Sequence, residues 1–314
     1  DFTQKNYNDN REDNFVAGGS HITILSGTGK QTIQFESEKS HFNTVELQNH
    51  SEEGIYAPGG INANTIKRNG CNIDYGNDGR LGWTLEEDET IEGDLFLIED
   101  ELNLNGHTLT VSGSVIQAGG TIHINSGKLI VEKDYRIQSK NETEEDVTYG
   151  KSNGILLMDK EEDYVKVKGD FVQGSIVNHN SKLTAGTLEI KGNFTQTSYV
   201  SQSNFAATGT HKVLLSGTKK QEVNFVNVRN DYSYFANLEI TNESEEGVVF
   251  GSNNVMVKGS VDDKGNKTSG YIYPVATTTF ADHKFQGNVY YGDNITTKED
   301  VEIAGNVIVG NSLY

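Results

Sequence analysis

Apolar and polar residues alternate along most of this chain, and between Leu102 and Gln138 the same alternation is written twice, twenty residues apart. Leu102 answers to Ile122, Leu104 to Ile124, Leu109 to Leu129, Val111 to Val131 and Val115 to Tyr135. Turns match too: Asn105-Gly106 against Ser126-Gly127, and Ser112-Gly113-Ser114 against Glu132-Lys133-Asp134. Each copy holds two alternating runs closed by turns, the pattern of a coil that climbs one strand spacing per circuit and stacks on its predecessor. The prediction is an all-β chain: a single-layered parallel β-helix (β-solenoid), right-handed by majority, with coils of about 20–23 residues. Leu104, Val111, Ile124, Val131, Val167 and Ile190 should point into one continuous core.

The motif recurs. Val165-x-Val167-x-Gly169-Asp170-Phe171-x-Gln173 returns twenty-three residues later as Leu188-x-Ile190-x-Gly192-Asn193-Phe194-x-Gln196. Weaker copies are Val255-x-Val257-x-Gly259-Ser260-Val261 and Val301-x-Ile303-x-Gly305-Asn306-Val307. Gly followed by Asx or Ser supplies a corner needing positive φ or a local side-chain cap. Corner Asn residues can stack into amide ladders.

A longer repeat overlies the coils. His21–Phe35 matches His211–Phe225 at eight of fifteen positions, an offset of 190. After a three-residue insertion, Phe42-x-x-Val45-x-Leu47-x-Asn49-x-Ser51-Glu52-Glu53-Gly54 matches Phe235-x-x-Leu238-x-Ile240-x-Asn242-x-Ser244-Glu245-Glu246-Gly247, and Asp1-Phe2-Thr3-Gln4 matches Asn193-Phe194-Thr195-Gln196. The expected organisation is one elongated solenoid in which 1–192 is a complete unit and 193–314 part of the next, cut inside a coil. Roughly a dozen turns at ~4.8 Å each give a rod of about 60 Å. Lys140–Asn153, Asn227–Ser233 and Asp262–Ser269 lack alternation and are expected to project as loops. No segment carries a sustained helical period, so helix content should be close to nil.

Composition narrows the partners. A formal net charge of -19 repels nucleic acid and anionic membrane surfaces, and no Lys/Arg-rich run offsets it. The acids of Glu86–Glu101 and Glu142–Asp146 read as solvated faces and loops that keep a β-rich surface soluble. With Pro 2 and Gly 34, ladders are rarely interrupted and corners are freely supplied. The single Cys71 excludes an intrachain disulfide and a Cys-based zinc cluster. There is no apolar run long enough for a membrane helix and no signal peptide; the chain begins at Asp1, as a processed product or excised piece would.

The runs Gly82-Trp83-Thr84-Leu85, Thr90-Ile91-Glu92-Gly93-Asp94-Leu95, Leu102–Val111, Gly169-Asp170-Phe171, Leu183–Leu188 and Gly209–Val213 resemble those of a family of long secreted repeat proteins in Firmicutes such as clostridia. The resemblance covers nearly the whole chain. It implies an extracellular or cell-surface bacterial β-solenoid and carries over no catalytic residue.

Candidate chemistry is sparse. Ser26-Gly27-Thr28-Gly29-Lys30-Gln31 looks like a phosphate loop, but Ile24 stands at the first Gly of a Walker motif and Gln31 at its Ser/Thr, so it reads as a hairpin-like corner. Asp74, Asn77 and Asp78 approach calcium-loop spacing, yet Gly76 and Leu85 occupy ligand positions, and an Asx/Gly-rich turn is the simpler reading; calcium is the one cofactor left in play. No HExxH and no Gly-x-Ser-x-Gly elbow occurs, and His21 and His211 hold equivalent repeat positions, which points to a corner role. Acids cluster in strips rather than beside Arg/Lys and Trp, with Trp83 the only indole. The Tyr271/Tyr291 pair, with Tyr273 and Tyr290 beside it, reads as an aromatic ladder before it reads as a sugar platform.

The expected function is an extracellular structural or adhesive rod without catalytic residues, whose ends are open β-edges that associate end to end with copies of itself or adjacent solenoid units. The alternative is a carbohydrate-binding or carbohydrate-active β-helix, of the polysaccharide lyase or glycosidase kind, that engages host or cell-wall glycans; fold analogy alone supports it.

Overall fold

The computed structural model describes the chain apart from residues 7–13, 38, 59, 75–82, 92, 98–100, 143–145, 198–202, 227–231, 252–254, 293–299 and 311–314. The described residues contain strands and no α-helix, and every strand pair but one is parallel. The chain is a parallel β-solenoid.

The N-terminal coils stack two strands each, in one sheet from Phe2–Gln4 to Ile73–Asp74 and another from Ile22–Leu25 to Ala63–Lys67, whereas the coils after them add a third strand to the two alternating runs expected. The first clear coil is Glu101–Asn103, Thr108–Val111 and Val115–Gln117, and the next is Thr121–His123, Lys128–Val131 and Tyr135–Ile137. The third strand has only three residues, too few to announce an alternation. Stacking its counterparts gives a sheet of eight strands from Leu95–Leu97 to Thr268–Ser269, beside a sheet of nine from Glu89–Ile91 to Thr279–Phe280. The remaining face begins as a four-stranded sheet, continues through single bridges such as Met158 to Leu183 and Ala206 to Tyr234, and resumes as Val255–Val257, Tyr271–Pro274, Asn288–Tyr291 and Val307–Val309.

Register follows the apolar positions. Leu102 pairs with Ile122, Leu109 with Leu129, Val111 with Val131 and Val115 with Tyr135; Val165 pairs with Leu188 and Phe171 with Phe194. Leu104, Val111, Ile124, Val131, Val167 and Ile190 are all fully buried in one cluster, as expected. The turn match shifts by one: with Thr108 on Lys128, Asn105 stacks over Asn125 and Gly106 over Ser126, all four at positive φ. The weak motif copies at 255 and 301 do not coincide either. Val307 lies in one sheet with Val289, Ile272 and Val255, whereas Val261 belongs to the nine-stranded face. Coil length varies more widely than 20–23, from 17 residues between Ile272 and Val289 to 36 between Leu129 and Val165.

That longest coil contains the insertion at 140–153. Within it Ser139–Glu142 and Val147–Gly150 pair as antiparallel strands, with Arg136 over the Tyr149 ring, while 143–145 lie outside the described residues. Asp262–Ser269 stays on the body, since Asp262 ends a strand, Thr268–Ser269 forms another and Asp263 is buried between them. Of 227–233, residues 227–231 lie outside the described residues, Tyr232 is exposed and Ser233 is buried.

The corner glycines are required for a reason other than the expected one. Gly113, Gly169 and Gly192 do not have positive φ. They sit so close to the corner one coil earlier that a Cβ would overlap Gly93, Lys133 and Gly169 backbone respectively. The cap beside them is not local but reaches across coils. Asp94 Oδ1 accepts the Ser114 amide at 2.7 Å, Asp134 the Asp170 amide at 2.9 Å, Asp170 the Asn193 amide at 2.7 Å and Asn193 the Glu222 amide at 2.8 Å. Each corner thereby satisfies the donor of the next.

The long repeat is reproduced in hydrogen bonds as well as strands. Gly27 N donates to Gln31 Oε1 at 2.7 Å, and Gly217 N to Gln221 Oε1 at 2.8 Å. Asn49 donates to Gly29 O and Gln31 Oε1, while Asn242 donates to Lys219 O and Gln221 Oε1. Phe2, Phe15, Phe35 and Phe42 form one aromatic cluster, and Phe194, Phe205, Phe225 and Phe235 form its counterpart. Copies 21–35 and 211–225 therefore share strands, corner and register. Buried residues from Leu25 to Ile73 form one apolar cluster and those from Trp83 to Tyr291 another. At their junction the Gly70 corner presses on the Ile91 side chain, and Arg68 lies over Trp83 at 5.3 Å.

Two stability outcomes follow from this packing. Ile124→Asp puts an unpaired charge at a fully buried position and should cost several kcal/mol in denaturant unfolding; an unchanged midpoint would refute the register. Asp170→Ala removes the acceptor for Asn193 N–H and should cost about 1–3 kcal/mol, while Asp170→Asn, which keeps an acceptor oxygen, should lose far less. Equal losses in the two variants would show that the cap contributes through its charge instead.

Candidate functional site

The side chains with chemical capacity fall into four groups. The first is the weak calcium candidate. Asp74 ends the strand Ile73–Asp74 with its side chain exposed, and Asn77 and Asp78 lie outside the described residues. Among the described residues no group of three or more His, Cys, Asp or Glu gathers as a metal donor set. The phosphate-loop lookalike is a corner between Ile22–Leu25 and Gln31–Phe35, its Gly27 amide occupied by Gln31.

The second group is at the junction. Trp83 is buried with Arg68 over its ring, so the indole is not open for stacking a sugar. Its N–H donates to Glu89. Burial pushes the Glu89 carboxyl above its ordinary value, helped by nearby Glu87 and opposed by Arg68 and the Trp83 bond. Acid, Arg and Trp are thus brought together here, contrary to the sequence expectation, because Arg68 and Glu89 come from different coils.

Third are polar networks on the outer side of the nine-stranded face. Lys166 and Glu189 are opposite one another in the ladder. Glu189, nearly buried, accepts from Tyr164 Oη, from Ser216 Oγ at 2.6 Å and from Lys166 Nζ at 3.2 Å. Burial raises its carboxyl, but these three donors outweigh that and hold it below the ordinary value. A carboxylate so well satisfied is a poor base, and the group reads as a staple between coils. Three coils on, past the end of the strand Ser260–Asp262 and not on that outer side, Asp263 is fully buried and accepts His283 Nε2 at 2.7 Å, Gly265 N at 3.0 Å and Gln286 N at 2.7 Å. Neither constellation was visible in sequence, since their members lie 20 to 27 residues apart and depend on local coil length.

Fourth are the histidines and tyrosines. His21 is exposed and His211 fully buried, so the shared repeat position does not confer a shared role. His211 is opposite Gly186 and Ala236 in the adjacent coils, with the Phe205 ring edge-on at 6.2 Å. Both ring nitrogens are without a partner. His179 is also buried; its Nδ1 donates to Val177 O at 3.0 Å and its Nε2 accepts Leu156 N–H at 3.4 Å. The Tyr271/Tyr291 pairing is replaced by Tyr273 on Tyr290, because that coil has 17 residues. Their rings are stacked at 4.5 Å and 18°. Since the faces cover each other, the pair is a ladder and not a platform.

Comparison with protein-family models, with curated proteins and with solved structures finds no match to this chain.

The buried histidines generate an acid-stability prediction. Burial lowers His179 to about 4 and His211 to about 3, against 6.5 for an ordinary imidazole. The unfolded chain therefore binds these protons first. Their stabilisation is complete above pH 6.5 and is lost as pH falls toward about 4 and about 3, at up to ~1.4 kcal/mol per pH unit for each group. His211→Leu should flatten the decline between pH 6 and pH 4.5 and leave neutral-pH stability equal or higher, because it removes two unpartnered polar atoms. Glu189 contributes separately, below its ordinary 4.5. A chemical-denaturation series against pH, in which the variant and the parent run parallel, would contradict the account.

Proposed function

We propose that this protein is an extracellular structural or adhesive rod of bacterial cell-surface type, built to supply length and stiffness and to continue into neighbouring solenoid units. One observation carries the reading: the long repeat recurs with the same corner bonds, Gly27–Gln31 and Gly217–Gln221, and the same four-Phe cluster. A unit whose interior bonding repeats over 190 residues can be extended indefinitely without a new fold, because each coil contacts only its neighbours. Association with copies of itself, end to end along the axis, belongs to the same reading, as does the secreted location suggested by the resemblance to clostridial repeat proteins.

A second reading, a carbohydrate-binding or carbohydrate-active β-helix, draws on one feature, the raised Glu89 beside Arg68 and Trp83. Negative-stain electron microscopy with light scattering, a glycan array and a reducing-end assay separate the two. Rods that lengthen with concentration, with glycan binding absent or unaccompanied by turnover, are the expected result. Glycan cleavage that is lost in Glu89→Gln would overturn the structural reading, and short particles of constant mass would overturn the end-to-end association.

A further inference from the structure

The stacked tyrosines on the outer side of the last described face carry a chemistry that a structural rod can use. Tyr273 and Tyr290 are opposite one another in adjacent parallel strands, while Ile272 and Val289 beside them point inward and are fully buried. Both phenols are half-buried and so remain reachable from solvent. Their rings lie 4.5 Å apart at 18°, and the Tyr290 hydroxyl is within hydrogen-bonding reach of Tyr273. Backbone closes around the pair, for Gly310 packs so tightly on the Tyr290 hydroxyl that a Cβ would overlap it. Among the described residues this is the one tyrosine pair with stacked rings.

We propose that Tyr273 and Tyr290 are a site of oxidative modification, at which a haem peroxidase using hydrogen peroxide joins the two rings into an intrachain dityrosine that locks adjacent coils together. Each phenol gives up one electron and one proton, and the peroxide is reduced to two waters. The resulting phenoxyl radicals couple by forming one carbon–carbon bond between ring carbons ortho to the hydroxyls. The hydrogens on those two carbons leave as protons and return to the oxygens, restoring both phenols. The net change is the loss of two hydrogen atoms per chain. The ladder favours this partner over any other, since holding two reacting groups in contact raises their effective concentration far above that of tyrosines on separate molecules. Hydroxyls placed side by side bring together the ortho carbons that flank them. A covalent link between coils would protect a parallel ladder that otherwise has only backbone bonds and side-chain packing to hold it. The inference stands independently of the cell-surface reading, which would supply the oxidising surroundings.

The test exposes the full chain to horseradish-type peroxidase and hydrogen peroxide, then reads dityrosine fluorescence, intact mass and the cross-linked peptides after digestion. The expected product is a monomer lighter by two hydrogens, with Tyr273 joined to Tyr290 and a yield per chain unchanged on tenfold dilution. Tyr273→Phe and Tyr290→Phe, which keep the stacked ring, should each abolish that product, whereas Tyr149→Phe and Tyr232→Phe, at exposed positions away from the pair, should leave it intact. Circular dichroism and the melting midpoint of the Phe variants confirm that the ladder still folds. A cross-link formed only between chains, or one that joins other tyrosines and persists in Tyr273→Phe, would overturn the assignment.

Discussion

Everything in this chain answers to one constraint: in a parallel stack, the nearest neighbour of a residue is its own counterpart one coil away. The neighbour is therefore chosen by coil length and not by chain separation. Apolar positions become continuous columns such as Leu109, Leu129, Val165, Leu188, Val213 and Leu238, paired in sequence without a break. Each buried aliphatic side chain there contributes about 1.5–3 kcal/mol, and none has a second layer to rely on. Polar positions face a stricter rule, because like charges would stack on like. On the outer side of the nine-stranded face Lys166 stands on Glu189, and where acid stacks on acid, Glu239 on Asp262, lysines offset the repulsion: Lys212 is bonded to Glu239 at 2.8 Å and Lys264 pairs with Asp262. Corners obey the constraint through Asx side chains that accept the next coil's amide.

That same constraint decides what sequence could reveal. Where coils keep equal length, as from Leu102 to Tyr135, the apolar alternation fixes register residue by residue, and the predicted pairs are the observed ones. Legibility fails wherever length drifts. Tyr271 and Tyr291 are twenty apart in sequence, but a 17-residue coil sets Tyr273 on Tyr290 instead. Three-residue strands such as Val115–Gln117 are shorter than one cycle of detectable alternation, so the third face was not seen. The antiparallel pair Ser139–Glu142 and Val147–Gly150 escaped because Val147, Thr148 and Tyr149 are all exposed, which leaves no buried side to pattern.

The chemical groups were less legible than the fold, for a related reason. Glu189, Tyr164 and Ser216 meet only because three successive coils of unequal length bring them side by side on one face. His21 and His211 occupy the same place in the repeat but not in the stack: His211 has coils paired on both sides, while Ile22–Leu25 pairs on one side among the described residues. Burial, and with it the lowered imidazole value, thus depends on neighbours that repeat position cannot report. What the reactive side chains share is engagement within the rod. Trp83 is capped by Arg68, Asp263 is held by three donors, and Tyr273 and Tyr290 cover each other. That engagement is what supports the proposed structural role.

The chain rises by one strand spacing per coil through an unbroken parallel ladder, and pulsed electron spin resonance measures that rise directly. Lys128 and Ser260, both exposed, are five coils apart through Tyr164, Thr187, Lys212 and Asn237. Spin labels on Lys128→Cys and Ser260→Cys leave the native thiol untouched, since Cys71 is buried and pushed up to about 12. At ~4.8 Å per coil the account predicts one narrow distance distribution centred near 24 Å. A broad distribution, or one centred beyond about twice that value, would contradict the continuous ladder.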